Sequence, residues 1–339
     1  MGIKNKRPRK ETRHTPRNNT SSEICGYRLI PALFLVVLTA TMNACNTASP
    51  ALSSNTLPQS PTIEEAFSSQ TLEPVQAHED SPTSTNSPNT SSPAGSWKTY
   101  PIVPVLSPRV FEIYQNGQTL SNRPQAFSKV GDGEIATSWF LTMFDRHPET
   151  IHLGPYQELE EPIAYFSGSF ARQSIAARAG FNTTRVLNPL FAANDLCQRE
   201  ESPLECELRI HRPSFVFISL GTNQVWTPEV FETELRMIIE ICIERGVIPI
   251  LATKGDNLEG DHRINAIIAE AAREYEVPLW NFWLALQSLP DQGLQPDGEH
   301  LTWVETDFDD PDAKSHAWPN RNLTALQVLQ RLMLELGSR

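Results

Sequence analysis

Four short apolar segments, each followed by glycine or by polar residues, constrain the fold of this chain more than any other feature. They read AFSKVG at 126–131, PSFVFISLG at 213–221, GVIPILATKG at 246–255 and VPLWNFW at 277–283. Nearly continuous apolar runs of this length are typical of strands that are buried on both faces, as in parallel sheets. We therefore expect four parallel strands at these places.

Amphipathic helical patterns alternate with the apolar segments. They cover 228–246, 261–276 and 322–337, where apolar residues recur three and four positions apart. We expect Asp261 to cap the second helix, Asn322 or Thr324 to cap the third, and Gly246 to follow the end of the first. Strand–helix alternation predicts an α/β fold, a doubly wound parallel sheet in three layers, whose ligands bind at the carboxyl ends of the strands.

The first hundred residues differ in composition from the rest and divide the chain into three regions. Residues 1–28 hold eight of the 28 Lys and Arg residues but only two of the 40 Asp and Glu residues, and the apolar stretch 29–44 follows. A basic end followed by an apolar stretch and a small residue is typical of a bacterial export signal. We predict an export segment at 1–45, a Ser/Thr/Pro-rich disordered stalk at 46–98 and one globular domain at 99–339.

The end of the apolar stretch predicts a membrane tether outside the cytoplasm. Ala44-Cys45 resembles the end of a bacterial lipobox, which implies lipidation of Cys45, although Met42 and Asn43 depart from the usual pattern. The alternative is an uncleaved anchor at 29–44, which is short against the roughly 20 apolar residues that a spanning helix needs. Both alternatives place the domain on the bacterial cell surface.

Composition also narrows the classes of partner. The chain carries a net charge of −12, and after residue 28 it holds 20 Lys and Arg residues against 38 Asp and Glu residues, so a nucleic-acid partner is not expected. We find no Cys/His spacing of the zinc type, and we propose no metal or cofactor.

The cysteines fit an oxidising compartment. Cys197 and Cys206 flank the polar segment QREESPLE, which could close as a hairpin and bridge them. Cys242 lies in an apolar helical run and is expected to be a buried small hydrophobic residue.

Three polar stretches end or follow the predicted strands and contain groups that suit acyl transfer. They are Gly131-Asp132-Gly133, Leu220-Gly221-Thr222-Asn223 and the segment GLQPDGEH, which contains Asp297 and His300. A hydroxyl nucleophile needs a histidine to take its proton, and that histidine needs an acid to fix its tautomer. His300 and Asp297 are of the residue types that these roles require.

The order of these stretches resembles the SGNH (or GDSL) hydrolase superfamily over residues 125–303. That family has Gly-Asp-Ser in its first block, a glycine in its second, Gly-x-Asn-Asp in its third and Asp-x-x-His in its last. The resemblance implies a flavodoxin-like sheet and an esterase, lipase or carbohydrate deacetylase. It also implies catalytic roles for Asp297 and His300, and an oxyanion hole that includes Gly180 and Asn223.

The chain departs from the family at the nucleophile. Gly133 occupies the position of the serine, after Asp132, and Gln224 replaces the third-block aspartate. Ser128 and Ser138 are the nearest serines, and either would need a rearranged site.

Three hypotheses remain open at this point. In the first, His300 activates a water molecule in the space of the missing hydroxyl, with Asp132, Glu134 or both orienting it, and an ester such as an acylated glycan or lipid is hydrolysed directly. In the second, the protein is a pseudoenzyme that binds a cell-surface glycan or an acylated ligand. In the third, which the joint order of the motifs disfavours, these residues are ordinary loop contacts.

Other side chains near these stretches have two interpretations each. Arg172 and Arg178 either bind an anionic group or face solvent, and Lys254 either enters the site or forms a salt bridge in its loop. Trp280, Trp283 and Trp303 either form a platform for a sugar ring or pack in the core, and packing is the expected role.

Overall fold

The computed structural model describes residues 96–192 and 195–337. The predicted export segment, Cys45 and nearly all of the predicted stalk lie outside the described residues. Within the described ranges, no helix combines the length and apolar character that crossing a bilayer requires.

The described residues form an α/β domain with a parallel sheet. Its strands are β1 (Arg123–Gly131), β2 (Pro213–Ser219), β3 (Ile248–Ala252) and β4 (Leu279–Trp280). The helices are α1 (Pro108–Thr119), α2 (Gly133–Ala136), α3 (Met143–Arg146), α4 (Glu160–Tyr165), α5 (Thr183–Leu187), α6 (Pro203–His211), α7 (Pro228–Glu244), α8 (Arg263–Glu274), α9 (Phe282–Leu286) and α10 (Ala317–Leu336). All four predicted strands are confirmed.

The strands pair in the order β1-β2-β3-β4, and every pairing is parallel. An isolated parallel bridge joins Gly131 at the end of β1 to Ala177. If the segment at Ala177 is counted as a short strand next to β1, the sheet has five strands. Numbered by their position along the chain, these strands lie in the order 2-1-3-4-5, which is the flavodoxin-like order. The topological switch point of such a sheet lies between β1 and β2, where a ligand site is expected.

Helices cover both faces of the sheet. On one side α5, α6, α7 and α8 pack against one another, and on the other α10 packs against α4 and α9. The core between the layers is rich in phenylalanine, and the Phe127 ring makes edge-to-face contacts with Phe166, Phe170 and Phe217. The predicted three-layer α/β architecture is confirmed.

Two predicted helix starts are wrong. The last helix begins at Ala317, so Asn322 and Thr324 lie inside it. The helix can begin this early because proline is tolerated in the first turn of a helix, where Pro319 lies. Asn322 instead accepts the backbone N–H of Leu141 at 2.9 Å. His262, with a left-handed backbone, is the N-cap of α8, while Asp261 accepts the Arg263 N–H from one residue earlier.

The predicted cysteine pair is joined, but not across a hairpin. Cys197 and Cys206 form a disulfide, and Cys206 lies within α6. A capping box formed by Ser202 and Glu205 starts this helix in the middle of the polar segment, and the sequence interpretation missed that signal. Cys242 is free and buried, as expected.

Candidate active site

A cleft of about 320 Å³ lies at the carboxyl ends of β1 and β2, at the switch point of the sheet. Asp132, Gly133, Gly180, Asn223 and His300 all line it. Asp297 is absent from the lining but is bonded to His300. The structure thus brings together the stretches that the sequence analysis singled out, although they lie up to 168 positions apart in the chain.

A tight turn holds His300 and Asp297 together. Asp297 Oδ2 lies 2.7 Å from His300 Nδ1, while Asp297 Oδ1 accepts the backbone N–H groups of Glu299 and His300, each at 3.0 Å. The two backbone bonds, followed by the bond to the imidazole, lower the pKa of Asp297 to about 2. The hydrogen bond that His300 donates to Asp297 in turn raises the pKa of His300 above its usual value.

This geometry assigns the two ring nitrogens of His300 different roles. Nδ1 is committed to a carboxylate that stays ionised at neutral pH, so the neutral imidazole carries its proton on Nδ1. Nε2 is then the basic nitrogen. The His300 side chain is 67% exposed, so water has direct access to it.

Gly133 begins α2 at the floor of the cleft. Asp132 is the N-cap of this helix, and its Oδ1 accepts the Glu134 N–H at 3.1 Å. A Cβ atom on Gly133 would meet nothing closer than the Ala179 Cβ, at 4.0 Å. The position therefore has room for a side chain. Gly131 differs, because a Cβ there would lie 2.0 Å from the Ser219 carbonyl oxygen.

Three N–H donors at the cleft are available to a ligand. In the part of the chain that the structure describes, the backbone N–H groups of Gly133 and Gly180 donate to no acceptor. The Asn223 amide donates one hydrogen to the Phe181 carbonyl oxygen at 3.1 Å, which fixes the amide and leaves its second hydrogen free. Donors of this kind stabilise a developing oxyanion.

Two carboxyl groups and a buried guanidinium lie beside Gly133. Burial, followed by the charge of Glu134, raises the pKa of Asp132 to about 7. Burial also raises the pKa of Glu134, while Arg321 acts in the opposite direction. The Arg321 Nη1 atom lies 3.5 Å from Glu134 Oε2, and its Nη2 donates to Ser219 Oγ at 2.9 Å.

Arg321 is the main residue of the site that the sequence analysis missed. Its guanidinium is fully buried and surrounded by aromatic rings, with the centroid of Phe282 at 4.6 Å and that of Trp280 at 5.1 Å. The sequence feature that could have identified Arg321 is its place on the apolar face of the last helical pattern, because a buried charge needs a partner. Trp139 and Trp318, which also line the cleft, were missed as well.

The nearby serines do not supply a nucleophile in this conformation. Ser128 is buried and donates to Glu207 at 2.7 Å. Ser138 lines a neighbouring cavity and not the cleft. Gln224, at the third-block aspartate position, is buried and accepts two hydrogen bonds from Thr183.

Among the side chains with two interpretations, Lys254, Trp280 and Trp283 have structural roles. Lys254 forms buried ion pairs with Asp256 and Glu259, so it belongs to its own loop. Trp280 is buried in the core, and Trp283 packs edge-on against Trp97. Trp303 is half exposed, and its ring centroid lies 5.7 Å from that of Trp139.

No protein family profile and no curated protein matches the sequence. Solved structures that match include a GDSL-like lipase from Bacteroides thetaiotaomicron, at 13% identity and a TM-score of 0.38, covering 65% of this chain and 98% of the lipase. TesA matches at 17% identity and a TM-score of 0.39, covering 61% of this chain and 99% of TesA. The esterase EstA from a Pseudoalteromonas species matches at 14% identity and a TM-score of 0.39, covering 62% of this chain and 99% of EstA. These distant likenesses assign neither an activity nor a substrate to this chain.

Proposed function

We propose that the protein hydrolyses an ester, and that His300 activates a water molecule beside Gly133. The observation that carries this proposal is the meeting of two features at one cleft. The His300–Asp297 pair leaves a basic nitrogen at the cleft, and Gly133 leaves space where a side chain would fit. A water molecule in that space replaces a covalent nucleophile, so the reaction passes through no acyl-enzyme.

The other groups of the cleft fit the same reaction. The N–H groups of Gly133 and Gly180 and the Asn223 amide stabilise the negative charge that develops on the carbonyl oxygen. Glu134 lines the cleft and orients the water, and the charge of Arg321 favours its ionised form against the effect of burial. Asp132 acts indirectly, since its bond to the Glu134 N–H sets the start of α2.

The aromatic lining supports an acylated glycan as the substrate. Trp139 is 47% exposed, and its ring packs against those of Trp303 and Trp318. Large aromatic faces next to polar groups suit the apolar face of a sugar ring. Lipidation of Cys45 or an uncleaved anchor would hold the domain at the cell surface, where acylated glycans occur.

A single experiment separates hydrolysis from the binding-only alternative, which the missing nucleophile favours. The full chain is assayed for release of acetate from p-nitrophenyl acetate and from an acetylated oligosaccharide, and binding of the oligosaccharide is measured in parallel. Acetate release above the spontaneous rate supports the proposal. Binding without any release supports the pseudoenzyme instead.

The glycan assignment has its own test. We expect Trp139→Ala to raise KM for the acetylated oligosaccharide more than KM for p-nitrophenyl acetate, since only the oligosaccharide presents a sugar ring to the aromatic face. Trp226→Ala is the matched control, because Trp226 is 84% exposed and does not line the cleft. Equal effects of both variants on KM would contradict the glycan assignment.

A further inference from the structure

A second cavity, of about 460 Å³, adjoins the cleft. Gly133, Thr137 and Ala179 line both spaces, so one ligand can occupy the two together. The described residues that line the second cavity include four cationic side chains and no Asp or Glu. We call it the basic cavity, and its cations are Lys129, Arg146, Arg172 and Arg178.

The positive charge of the basic cavity is only partly neutralised. Arg172 forms a salt bridge with the buried Glu207 at 2.6 Å. Arg146 and Arg178 have no carboxylate within ion-pair distance among the described residues. Arg178 only lies over the Phe181 ring, 5.3 Å from its centroid. Two guanidinium groups therefore remain available to an anion.

Lys129 adds a buried amine that forms no ion pair with any described residue. Its side-chain nitrogen donates to the Phe170 carbonyl oxygen at 2.6 Å and to the Phe140 carbonyl oxygen at 3.3 Å. The third N–H has no acceptor in the described part of the chain, and the residue is only 4% exposed. Burial, followed by the charge of Arg172, lowers the pKa of Lys129 to about 7. Asp145 and Glu207 act in the opposite direction, but neither forms an ion pair with the amine, so an anion in the cavity would favour the charged form of Lys129.

The basic cavity does not reflect a general excess of positive charge. The chain as a whole has a net charge of −12, and its basic arm lies at residues 1–28. Four cations around one cavity in an otherwise acidic domain are therefore a local feature.

We propose that the basic cavity binds a phosphate group carried by the molecule whose ester lies in the cleft. Two unpaired guanidinium groups match the oxygens of a phosphate, since each can donate two parallel N–H bonds. The volume is also sufficient for a phosphorylated sugar, because small-molecule sites typically enclose about 300–1,000 Å³. This inference rests on the proposed function in one respect, that the cleft binds a ligand. It does not require that the ligand is hydrolysed.

Calorimetric titration of the full chain with glucose 1-phosphate, inorganic phosphate and glucose, at constant ionic strength, tests the inference without turnover. We expect saturable binding of glucose 1-phosphate and no binding of glucose. Arg146→Gln and Arg178→Gln should each weaken the binding about tenfold, because each removes a charge-assisted contact to the phosphate. Arg109→Gln, in α1 and outside the cavity, is the control and should bind as the unaltered chain does.

The basic arm at 1–28 is present in every variant, so a difference between variants reports the cavity alone. Circular dichroism melting of each variant verifies that it is folded. Binding that is the same in all variants, or the absence of saturable binding, would overturn the inference. Binding of inorganic phosphate without competition from glucose 1-phosphate would also overturn it, because the phosphate would then not belong to the cleft ligand. A chain that binds glucose 1-phosphate but hydrolyses no ester would disprove the proposed function and leave the phosphate site standing.

Discussion

The guanidinium of Arg321 lies 3.5 Å from the carboxylate of Glu134, and the two residues are 187 positions apart in the chain. Arg321 is enclosed by aromatic rings, and its Nε and Nη1 atoms lack hydrogen-bond partners. Its charge therefore acts mainly on the acidic groups beside Gly133. Burial raises the pKa of Glu134, and the charge of Arg321 offsets part of that rise, so Arg321 favours the ionised form of a carboxyl group that lines the cleft.

Removal of this charge should be visible in the titration of Glu134. We expect Arg321→Met to raise the pKa of Glu134 above its value in the unaltered chain, measured by NMR detection of the side-chain carboxyl carbon. Arg321→Lys keeps the charge and should change the pKa less. Arg331→Met, on the exposed part of the same helix, is the control, and a Glu134 titration that is the same in all three variants would refute the coupling.

The acidic groups beside Gly133 predict an unusual dependence of stability on pH. The pKa of Asp132 is raised from 3.8 to about 7 in the folded chain, so the folded state holds a proton that the unfolded state releases. This contribution to the free energy of unfolding is present below about pH 4 and is lost as the pH rises to about 7. Denaturant midpoints at pH 4, 5, 6 and 7 should therefore fall less with pH in Asp132→Asn than in the unaltered chain.

Asparagine is a suitable replacement because it still caps a helix start. His300, whose pKa is also raised, begins to lose its contribution to stability only when the pH exceeds 6.5, the usual pKa of histidine. The lowered pKa of Asp297 affects stability only between about pH 2 and 4. Identical slopes in both chains between pH 4 and 7 would show that Asp132 titrates normally.

A serine at position 133 should create a covalent nucleophile. A Cβ atom fits there without a contact closer than 4.0 Å, and His300 lines the same cleft. We expect Gly133→Ser to react with a serine-directed phosphonate and to carry the adduct on residue 133, as measured by peptide mass spectrometry. Gly133→Ala fills the same space without a hydroxyl and should stay unlabelled.

The outcome for Gly133→Ser depends on the orientation of the His300 ring. If the serine variant folds but is labelled no faster than the alanine variant, the imidazole does not face position 133, and the proposed water site is wrong.

The disulfide should stabilise the loop before α6. Cys197 and Cys206 are nine positions apart, and closing a loop of about this length contributes roughly 2–3 kcal/mol in the chain-entropy estimate. A reductant should lower the denaturant midpoint of the unaltered chain and leave that of the Cys197→Ala/Cys206→Ala double variant unchanged. A midpoint that does not respond to reduction in either chain would contradict this contribution.

The strands and most of the site could be predicted from the sequence because both depend on local patterns. Apolar runs such as 213–221 have no alternative to burial, and the turn from Asp297 to His300 is determined by hydrogen bonds within four residues. The start of α10 and the role of Asn322 could not be predicted in this way. An asparagine suits a helix cap and a buried hydrogen-bonding position equally well, so the residue type does not decide between them. The partners of Asn322 are Leu141 and Thr306, which are distant from it in the chain.

Arg321, Trp139 and the basic cavity depend on tertiary packing. Nothing near Arg321 in the sequence indicates that its charge meets Glu134, and nothing near Lys129 indicates that it forms no ion pair with any described residue. Contacts of this kind become visible only when the strand ends and the last helix are placed together.

The most direct measurement compares His300 with a matched histidine elsewhere on the surface. His152 also pairs through Nδ1 with a carboxylate, at 2.8 Å from Asp307 Oδ2, and its pKa is raised by the same kind of bond, but it does not line the cleft. We expect His300→Ala to lower kcat/KM for p-nitrophenyl acetate by roughly 10²–10⁴-fold, the usual contribution of a general base, and His152→Ala to leave it unchanged. A rate that survives the loss of His300, or that falls equally with the loss of His152, would contradict hydrolysis by water activation at this cleft.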